Sequence, residues 1–392
     1  MRKNKRFELG SLNHAFAAFC RDAEAKLCVK IEAGKRAFNP PPAGDVYTFG
    51  SGNCGQLALS ESVLDASRPR PIVNLHNLQM TDVACGGLHN AALTDAGAVY
   101  SWGCNDEGSL GIASVETGFA PLMVCGFTPS ATEIAKGLDC DLSCDLFPTW
   151  KGDKEIMIMA AAGDCQTLTL STTGRVYFFG CYKCVEGNAW RDLTPPDDIR
   201  VHPNPEKRNQ DAAPCGKQFW PIHVWNMPGK VLNIDCGCSF NAAIVEMPND
   251  NDHASTDRVC VTWGLGETGE LARPVRKGIK HSNYSPKKGD GPYANYHVDW
   301  VKEDYVVPKP VLWEEDPKPG FKRVVEFIAC GGYHLLVIAR DVNVQDDASN
   351  FQDGESAVYG SGLNQYGQLG LGMNTNVEKL TRVSMECLHV SF

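Results

Sequence analysis

The sequence predicts an all-β fold of the propeller kind, in which short four-stranded antiparallel sheets stack side by side. Three observations carry that expectation. One glycine-ended strand motif opens five successive segments, a second glycine-centred motif closes four of them, and 38 glycines with 23 prolines in 392 residues favour many turns over long helices.

The opening motif reads Val46-Tyr-Thr-Phe-Gly50, Val99-Tyr-Ser-Trp-Gly103, Val176-Tyr-Phe-Phe-Gly180, Cys260-Val-Thr-Trp-Gly264 and Val358-Tyr-Gly-Ser-Gly362. Each is a β-branched and aromatic run stopped by glycine, the pattern of a strand entering a turn. Four of the five continue into a second glycine turn with an apolar follower. These are Asn53-Cys-Gly-Gln-Leu57, Asn105-Asp-Glu-Gly-Ser-Leu110, Glu267-Thr-Gly-Glu-Leu271 and Asn364-Gln-Tyr-Gly-Gln-Leu369.

The closing motif is a hairpin of small and apolar residues around glycine. It reads Val83-Ala-Cys-Gly-Gly-Leu-His-Asn-Ala-Ala-Leu93, then Met159-Ala-Ala-Ala-Gly-Asp-Cys-Gln-Thr-Leu-Thr-Leu170. It returns as Ile234-Asp-Cys-Gly-Cys-Ser-Phe-Asn-Ala-Ala-Ile244 and Ile328-Ala-Cys-Gly-Gly-Tyr-His-Leu-Leu-Val-Ile338. Small residues let strands approach closely, and glycine supplies the positive φ that a tight turn requires. Gly86, Gly87 and His89, with Gly331, Gly332 and His334, are therefore read as structural repeat positions, the imidazoles capping backbone groups of the turn.

Together the motifs give repeats over 45–97, 98–174, 175–249 and 258–341, a partial fifth over 356–392, and a separate leading segment 1–44. Spacing between opening motifs widens along the chain: 53 residues from Val46 to Val99, 77 to Val176, 84 to Cys260 and 98 to Val358. Insertions of that length are places for function or for unstructured chain. In the leading segment Leu12, Phe16, Phe19, Ala23, Leu27 and Ile31 recur at helical spacing, which predicts a short amphipathic helix within 11–36 packed over the side of the propeller. Before it, Met1-Arg2-Lys3-Asn4-Lys5-Arg6 is the one markedly basic run, either a solvated terminus or a nuclear-targeting, chromatin-touching tail.

A formal net charge of −10 argues against broad nucleic-acid binding by the body of the protein and suits a basic protein partner. Seventeen cysteines would suggest a disulfide framework in a secreted chain. No signal peptide precedes them, and Cys85, Cys236, Cys260 and Cys330 sit within apolar runs as small hydrophobes, so a reducing compartment, cytosol or nucleus, is expected. No stretch reaches the ~20 apolar residues of a membrane span.

No phosphate-binding Gly-x-x-x-x-Gly-Lys loop and no His-Glu-x-x-His pair occurs, and the histidines fall at repeat positions. No cofactor is expected and no enzyme with its own bond chemistry. Cys140, Cys144, Cys181 and Cys184 could supply four thiolates to zinc, but with cysteines so frequent such pairs arise by chance, and no metal site is assigned.

The alternation of Val-Tyr-x-Trp/Phe-Gly, Asn-x-x-Gly-x-Leu-Gly and Cys-Gly-Gly-x-His from about Asp45 onward resembles the repeat of the regulator-of-chromosome-condensation family. The run Tyr100 to Gly111 is similar to the second blade of the family's exchange-factor branch, which acts on the Ran GTPase. Asp304 to Leu312 is similar to the run before that branch's fourth-blade hairpin. The resemblance implies a seven-bladed ring, so four complete units and part of a fifth read as a copy incomplete at its C-terminus.

It also implies a guanine-nucleotide exchange factor for a Ran-type small GTPase, nuclear, and touching chromatin through the basic tail. The stretch after Gly180, around Trp190, Arg191 and Asp192, looks like the β-wedge with which that branch presses on the GTPase. Asp164 retains the aspartate of the family's Ala-Gly-Asp-Ser-His, and Asn105, Asp106 and Glu107 form a further acidic contact loop. Ser239 stands where the family carries an aspartate, keeping hydrogen bonding but not charge. The second reading is a propeller scaffold without exchange activity, in the cytoplasm or nucleus, serving another GTPase, chromatin or a ubiquitin-pathway partner.

Overall fold

A computed structural model of the chain describes residues 28–29, 44–112, 114, 116–124, 155–183, 189–190, 217–224, 226–249, 252–275, 305, 307–343 and 355–384. It divides into two compact units, Met1–Cys181 with Lys217–Val224, and Tyr182–Gly216 with Trp225–Phe392. Among the described residues the chain is all-β apart from a 3-10 turn at Val73–Leu75 and the single helical residue Tyr305.

The first unit begins with a three-stranded sheet of β1 (Cys28–Val29), β2 (Tyr47–Ser51) and β3 (Asp65–Pro71). Two four-stranded sheets follow. One runs in chain order through β4 (Met80–Cys85), β5 (His89–Thr94), β6 (Val99–Gly103) and β7 (Gly118–Met123). The other opens with β8 (Met157–Ala162), β9 (Gln166–Ser171) and β10 (Val176–Gly180). Two short strands of the second unit, β11 (Tyr182–Lys183) and β12 (Ala189–Trp190), then intervene before β13 (Gln218–His223) completes that sheet as its outer strand.

In the second unit β14 (Lys230–Cys236), β15 (Phe240–Asn249), β16 (Asp252–Gly264) and β17 (Lys309–Pro310) form one four-stranded sheet. β18 (Phe321–Cys330), β19 (His334–Asn343), β20 (Ala357–Gly362) and β21 (Val377–Arg382) form the next. Every strand pair is antiparallel, and each four-stranded sheet is a simple meander, the topology of a propeller blade.

The sheets are out of phase with the sequence repeats. The closing hairpin of one repeat (β4–β5) shares its sheet with the opening strand of the next (β6), His89 pairing with Gly103 and Leu93 with Val99. The short connections Thr94–Ala98 and Ser171–Arg175 make adjacent strands neighbours in the sheet, with Gly97 N donating to Thr94 O and Gly174 N to Ser171 O at 3.0 Å. Each motif pair therefore ties two sheets together.

Burial follows the pattern of small and aromatic residues. β5, β9 and β10 are buried along their whole lengths. Ala91, Ala92, Ala242 and Ala243 are inaccessible, as are the large side chains of Trp102, Trp263, Phe178 and Phe179. Cys181, Cys236, Cys260 and Cys330 are buried.

One expectation is corrected. Cys28 and Val29, inside the stretch read as an amphipathic helix, pair antiparallel with Thr48 and Tyr47 of β2. An exposed edge of β2 offers unpaired main-chain groups, and ladder pairing there outweighs the helical spacing of a few apolar side chains. The remainder of that stretch, the basic tail, and Cys140, Cys144 and Cys184 lie outside the described residues.

Candidate functional site

Four hairpin turns, β4–β5, β8–β9, β14–β15 and β18–β19, are built alike. In each, the residue after the third strand donates its N–H to the carbonyl at the turn: Cys104 to Leu88 and Cys181 to Cys165 at 2.9 Å, Leu265 to Ser239 and Leu363 to Tyr333 at 2.7 Å. That approach needs glycine just before the donor. Gly103, Gly180, Gly264 and Gly362 take φ of 108°, 98°, 106° and 103°, and any Cβ there would overlap the carbonyl being bonded.

The rings of His89 and His334 lie against Gly86 and Gly331, where a side chain would collide with them. His89 is buried, with Nε2 at 2.8 Å from Thr167 Oγ1. Thr167 spends its own proton on Ser109 O at 2.8 Å, so the imidazole donates through Nε2. Gly87 N donates to Gly163 O, and Gly87 packs on Asp164 while Gly332 packs on the Cys238 thiol.

Asp164 sits in the β8–β9 turn, half-buried, and its carboxylate makes no hydrogen bond or ion pair among the described residues. The Asn105–Leu110 turn behaves differently. Asn105 is inaccessible; its Oδ1 accepts from Leu110 N at 3.0 Å and its Nδ2 donates to Ser114 O. Asn364 repeats this arrangement with Leu369 N and Met373 O, which marks both as turn framework. Asp106 is exposed, and its carbonyl accepts from Lys217 Nζ at 2.7 Å. Lys217 also lies 3.2 Å from Glu107 Oε2, and the Cys181 thiol donates to the same oxygen. The charge of Glu107 is thus already paired, and that of Asp106 faces solvent.

After Gly180 the sequence does not continue into an Asn-x-x-Gly-x-Leu motif. The chain forms a two-stranded antiparallel ribbon, Tyr182 opposite Trp190 and Lys183 opposite Ala189. Its base is held in the second unit. Tyr182 is inaccessible, with its hydroxyl 2.6 Å from the Asn241 amide. Turned so that its oxygen accepts from Tyr182 OH and from Trp263 Nε1 at 3.1 Å while its nitrogen donates to Phe240 O, that amide satisfies every group around it. Ser239 Oγ donates to Lys183 O at 2.8 Å and accepts from Lys183 N at 3.2 Å.

Ser239 and Trp190 therefore belong to one assembly, Ser239 at the base of the ribbon and Trp190 on its second strand. Asp164, Asp106 and Glu107 belong to the first unit. Arg191 and Asp192 lie outside the described residues. The sequence reading missed Tyr182, Asn241 and Lys217. The absence of an Asn-x-x-Gly-x-Leu turn after Gly180 was the signal for the first two; nothing local marks Lys217.

A family model for the regulator of chromosome condensation repeat matches residues 43–93 and 96–137. The mouse "Regulator of chromosome condensation" is 26% identical over 344 residues, covering 87% of this chain and 60% of its own length. The Saccharomyces cerevisiae "Guanine nucleotide exchange factor SRM1" is 23% identical over 354 residues, covering 83% of this chain and 54% of its own length. The chain thus spans a little over half the length of the curated relatives it matches. The crystal structure of human WBSCR16 superposes with a TM-score of 0.52 at 18% identity, over 88% of this chain and 63% of that one, a likeness of fold.

Proposed function

We propose that this chain, a carrier of regulator-of-chromosome-condensation repeats, is a guanine-nucleotide exchange factor for a Ran-type small GTPase and works in the nucleus. The observation that carries the reading is the ribbon of β11 and β12, which replaces a glycine turn at the place where the family's exchange-factor branch has its wedge. A buried phenol and a reciprocal serine contact root it in the β14–β15 sheet, so its backbone is held against a pressing partner.

A GTPase holds its nucleotide through a phosphate loop and Mg²⁺, around which its switch segments order. A protein that binds the nucleotide-free state more tightly weakens nucleotide binding by the same factor. In this scheme Trp190, with Arg191 and Asp192 beside it, presses on the phosphate-binding region. Asp164, whose carboxylate has no hydrogen bond or ion pair among the described residues, and Asp106 attract basic residues of the GTPase, with Glu107 contributing once Lys217 is displaced. Asn105 holds the loop and contacts nothing itself. Chromatin is the proposed partner of the basic tail.

Release of fluorescent GDP from a Ran-type GTPase is the test. The chain is expected to accelerate release at micromolar concentration, with Trp190→Ala and Asp164→Lys each slowing it tenfold or more, about 1.4 kcal/mol per tenfold. No acceleration by the folded chain removes the proposal; acceleration untouched by both substitutions removes the site. The scaffold reading draws on the neutral Ser239 and the already paired Glu107. It predicts GTPase or chromatin binding without any change in nucleotide release.

A further inference from the structure

The geometry points to Ser239 as the residue that positions the β11–β12 ribbon, doing so through a two-way hydrogen bond that an aspartate could not make. For its effect on exchange this rests on the function proposed above; for its effect on the ribbon it does not.

Alternate residues of an antiparallel pair point their main-chain groups toward and away from the partner strand. Lys183 has both of its main-chain groups on Ser239: its N–H reaches Ser239 Oγ at 3.2 Å, and its carbonyl receives the hydroxyl proton at 2.8 Å. One side chain thus does for Lys183 what a third strand would. The hydroxyl is itself a fixed point. Ser239 O is bonded by Leu265 N at 2.7 Å, and the neighbouring Cys238 N donates to Gly332 O at 2.9 Å.

The other three turns supply an internal control. Leu88, Cys165 and Tyr333 occupy the position of Ser239, and the loops adjoining their hairpins are glycine turns. At the first, Gln56 O accepts from Asn90 Nδ2 at 3.0 Å and Trp102 Nε1 at 2.9 Å. Asn241 and Trp263 are the counterparts of that pair; there the Asn241 oxygen accepts from both Trp263 Nε1 and the Tyr182 hydroxyl, so the phenol donates where the Gln56 carbonyl accepts. The ribbon is thus a substitute for a glycine turn, and serine occurs at the turn that must hold it.

A carboxylate at 239 would accept from Lys183 N–H but present a second acceptor to Lys183 O. Restoring the family's aspartate is therefore expected to loosen the ribbon in this chain.

The test is amide hydrogen exchange of the full chain, followed over Cys181 to Trp190, for Ser239→Ala, Ser239→Thr and Ser239→Asp, each checked for an unchanged unfolding midpoint. Ser239→Ala, which removes both hydrogen bonds, is expected to speed exchange of the Lys183 amide at least about fivefold, and Ser239→Asp, which keeps an acceptor for the N–H but repels Lys183 O, to speed it by less, while Ser239→Thr keeps the protection. Unchanged protection in the folded Ser239→Ala chain overturns the proposal. Should the alanine variant fail to fold, loss of protection in the threonine variant overturns it equally.

A second readout is GDP release at saturating GTPase. Ser239→Ala is expected to lower the maximal rate severalfold with little change in the half-saturating concentration, and Ser239→Thr to restore it. An aspartate variant faster than the natural chain overturns the proposal in favour of a direct role for charge. If no form of the chain promotes release, the exchange reading fails, and the amide protection still decides the role of Ser239.

Discussion

Two stretches leave the third strand of their sheets in the same way and then diverge. After Gly103 and after Gly180 the chain turns through a left-handed glycine and bonds back to the hairpin turn, Cys104 to Leu88 and Cys181 to Cys165. The first stretch then closes on itself at Asn105–Leu110, with Gly108 against the outer strand β13 of the neighbouring sheet. The second becomes a ribbon held on Asn241 and Ser239 of the β14–β15 hairpin. A fold of repeats can thus keep its closing hydrogen bonds and still exchange the loop beyond them, provided the next sheet supplies new anchors.

Four substitutions break or sharpen that contrast. The largest effect is expected at Gly108, which has φ of 81° and whose Cβ would stand 2.5 Å from Gln218 O. Gly108→Ala combines a left-handed penalty of about 1–2 kcal/mol with a backbone collision, for a loss of about 3 kcal/mol in urea unfolding. Next is Asn105→Ala, which strands the buried Leu110 N–H and costs about 2 kcal/mol. If the turn is framework and the ribbon is not, both should lower the stability of the first unit far more than any ribbon substitution does.

Tyr182→Phe keeps the ring and removes the hydroxyl that donates to Asn241. Asn241 keeps its contact with Trp263, so thermal unfolding should report only about 1 kcal/mol. A loss as large as that at Gly108 would mean that the ribbon, too, is framework.

The smallest effect concerns Glu270, in the glycine turn of the second unit. Its carboxylate accepts from Thr268 N at 2.7 Å and Glu267 N at 3.2 Å, where Gln56 and Gln368 accept from Cys54 N and Tyr366 N in their own turns. Burial pushes its pKa above the ordinary 4.5, against the lowering pull of those donors. The folded chain then holds a proton that the unfolded chain has lost, between 4.5 and the raised value. Stability contributed by this group therefore falls as pH rises through that window and returns on acidification. Glu270→Gln should flatten that dependence and leave stability near neutral pH within about 0.5 kcal/mol, read as the unfolding midpoint against pH.

Much of the scaffold was legible because its causes are local. Val99 to Gly103 and Val176 to Gly180 announce strands by composition and their ends by glycine. The sequence read His89 as capping backbone groups of the turn; its ring lies against Gly86 and its Nε2 meets the Thr167 hydroxyl of the next sheet. The opposite face of that legibility is Cys28–Val29, where helical spacing pointed one way and the open edge of β2 decided the other. Asn105 shows a second limit: an asparagine beside two acidic residues reads as a contact loop, and its complete burial is visible only in three dimensions.

The sequence by itself determined the strands, the left-handed turns and the repeat, since each depends on dihedral preference and on side chains a few positions apart. Tertiary structure alone decided the partners. Tyr182 finds Asn241 across 59 residues, Lys183 meets Ser239 across 56, and Lys217 reaches Asp106 across 111. Such pairs leave no periodic trace in the chain. Their geometry is set by how sheets built from different repeats pack, and packing selects among side chains whose local preferences are alike.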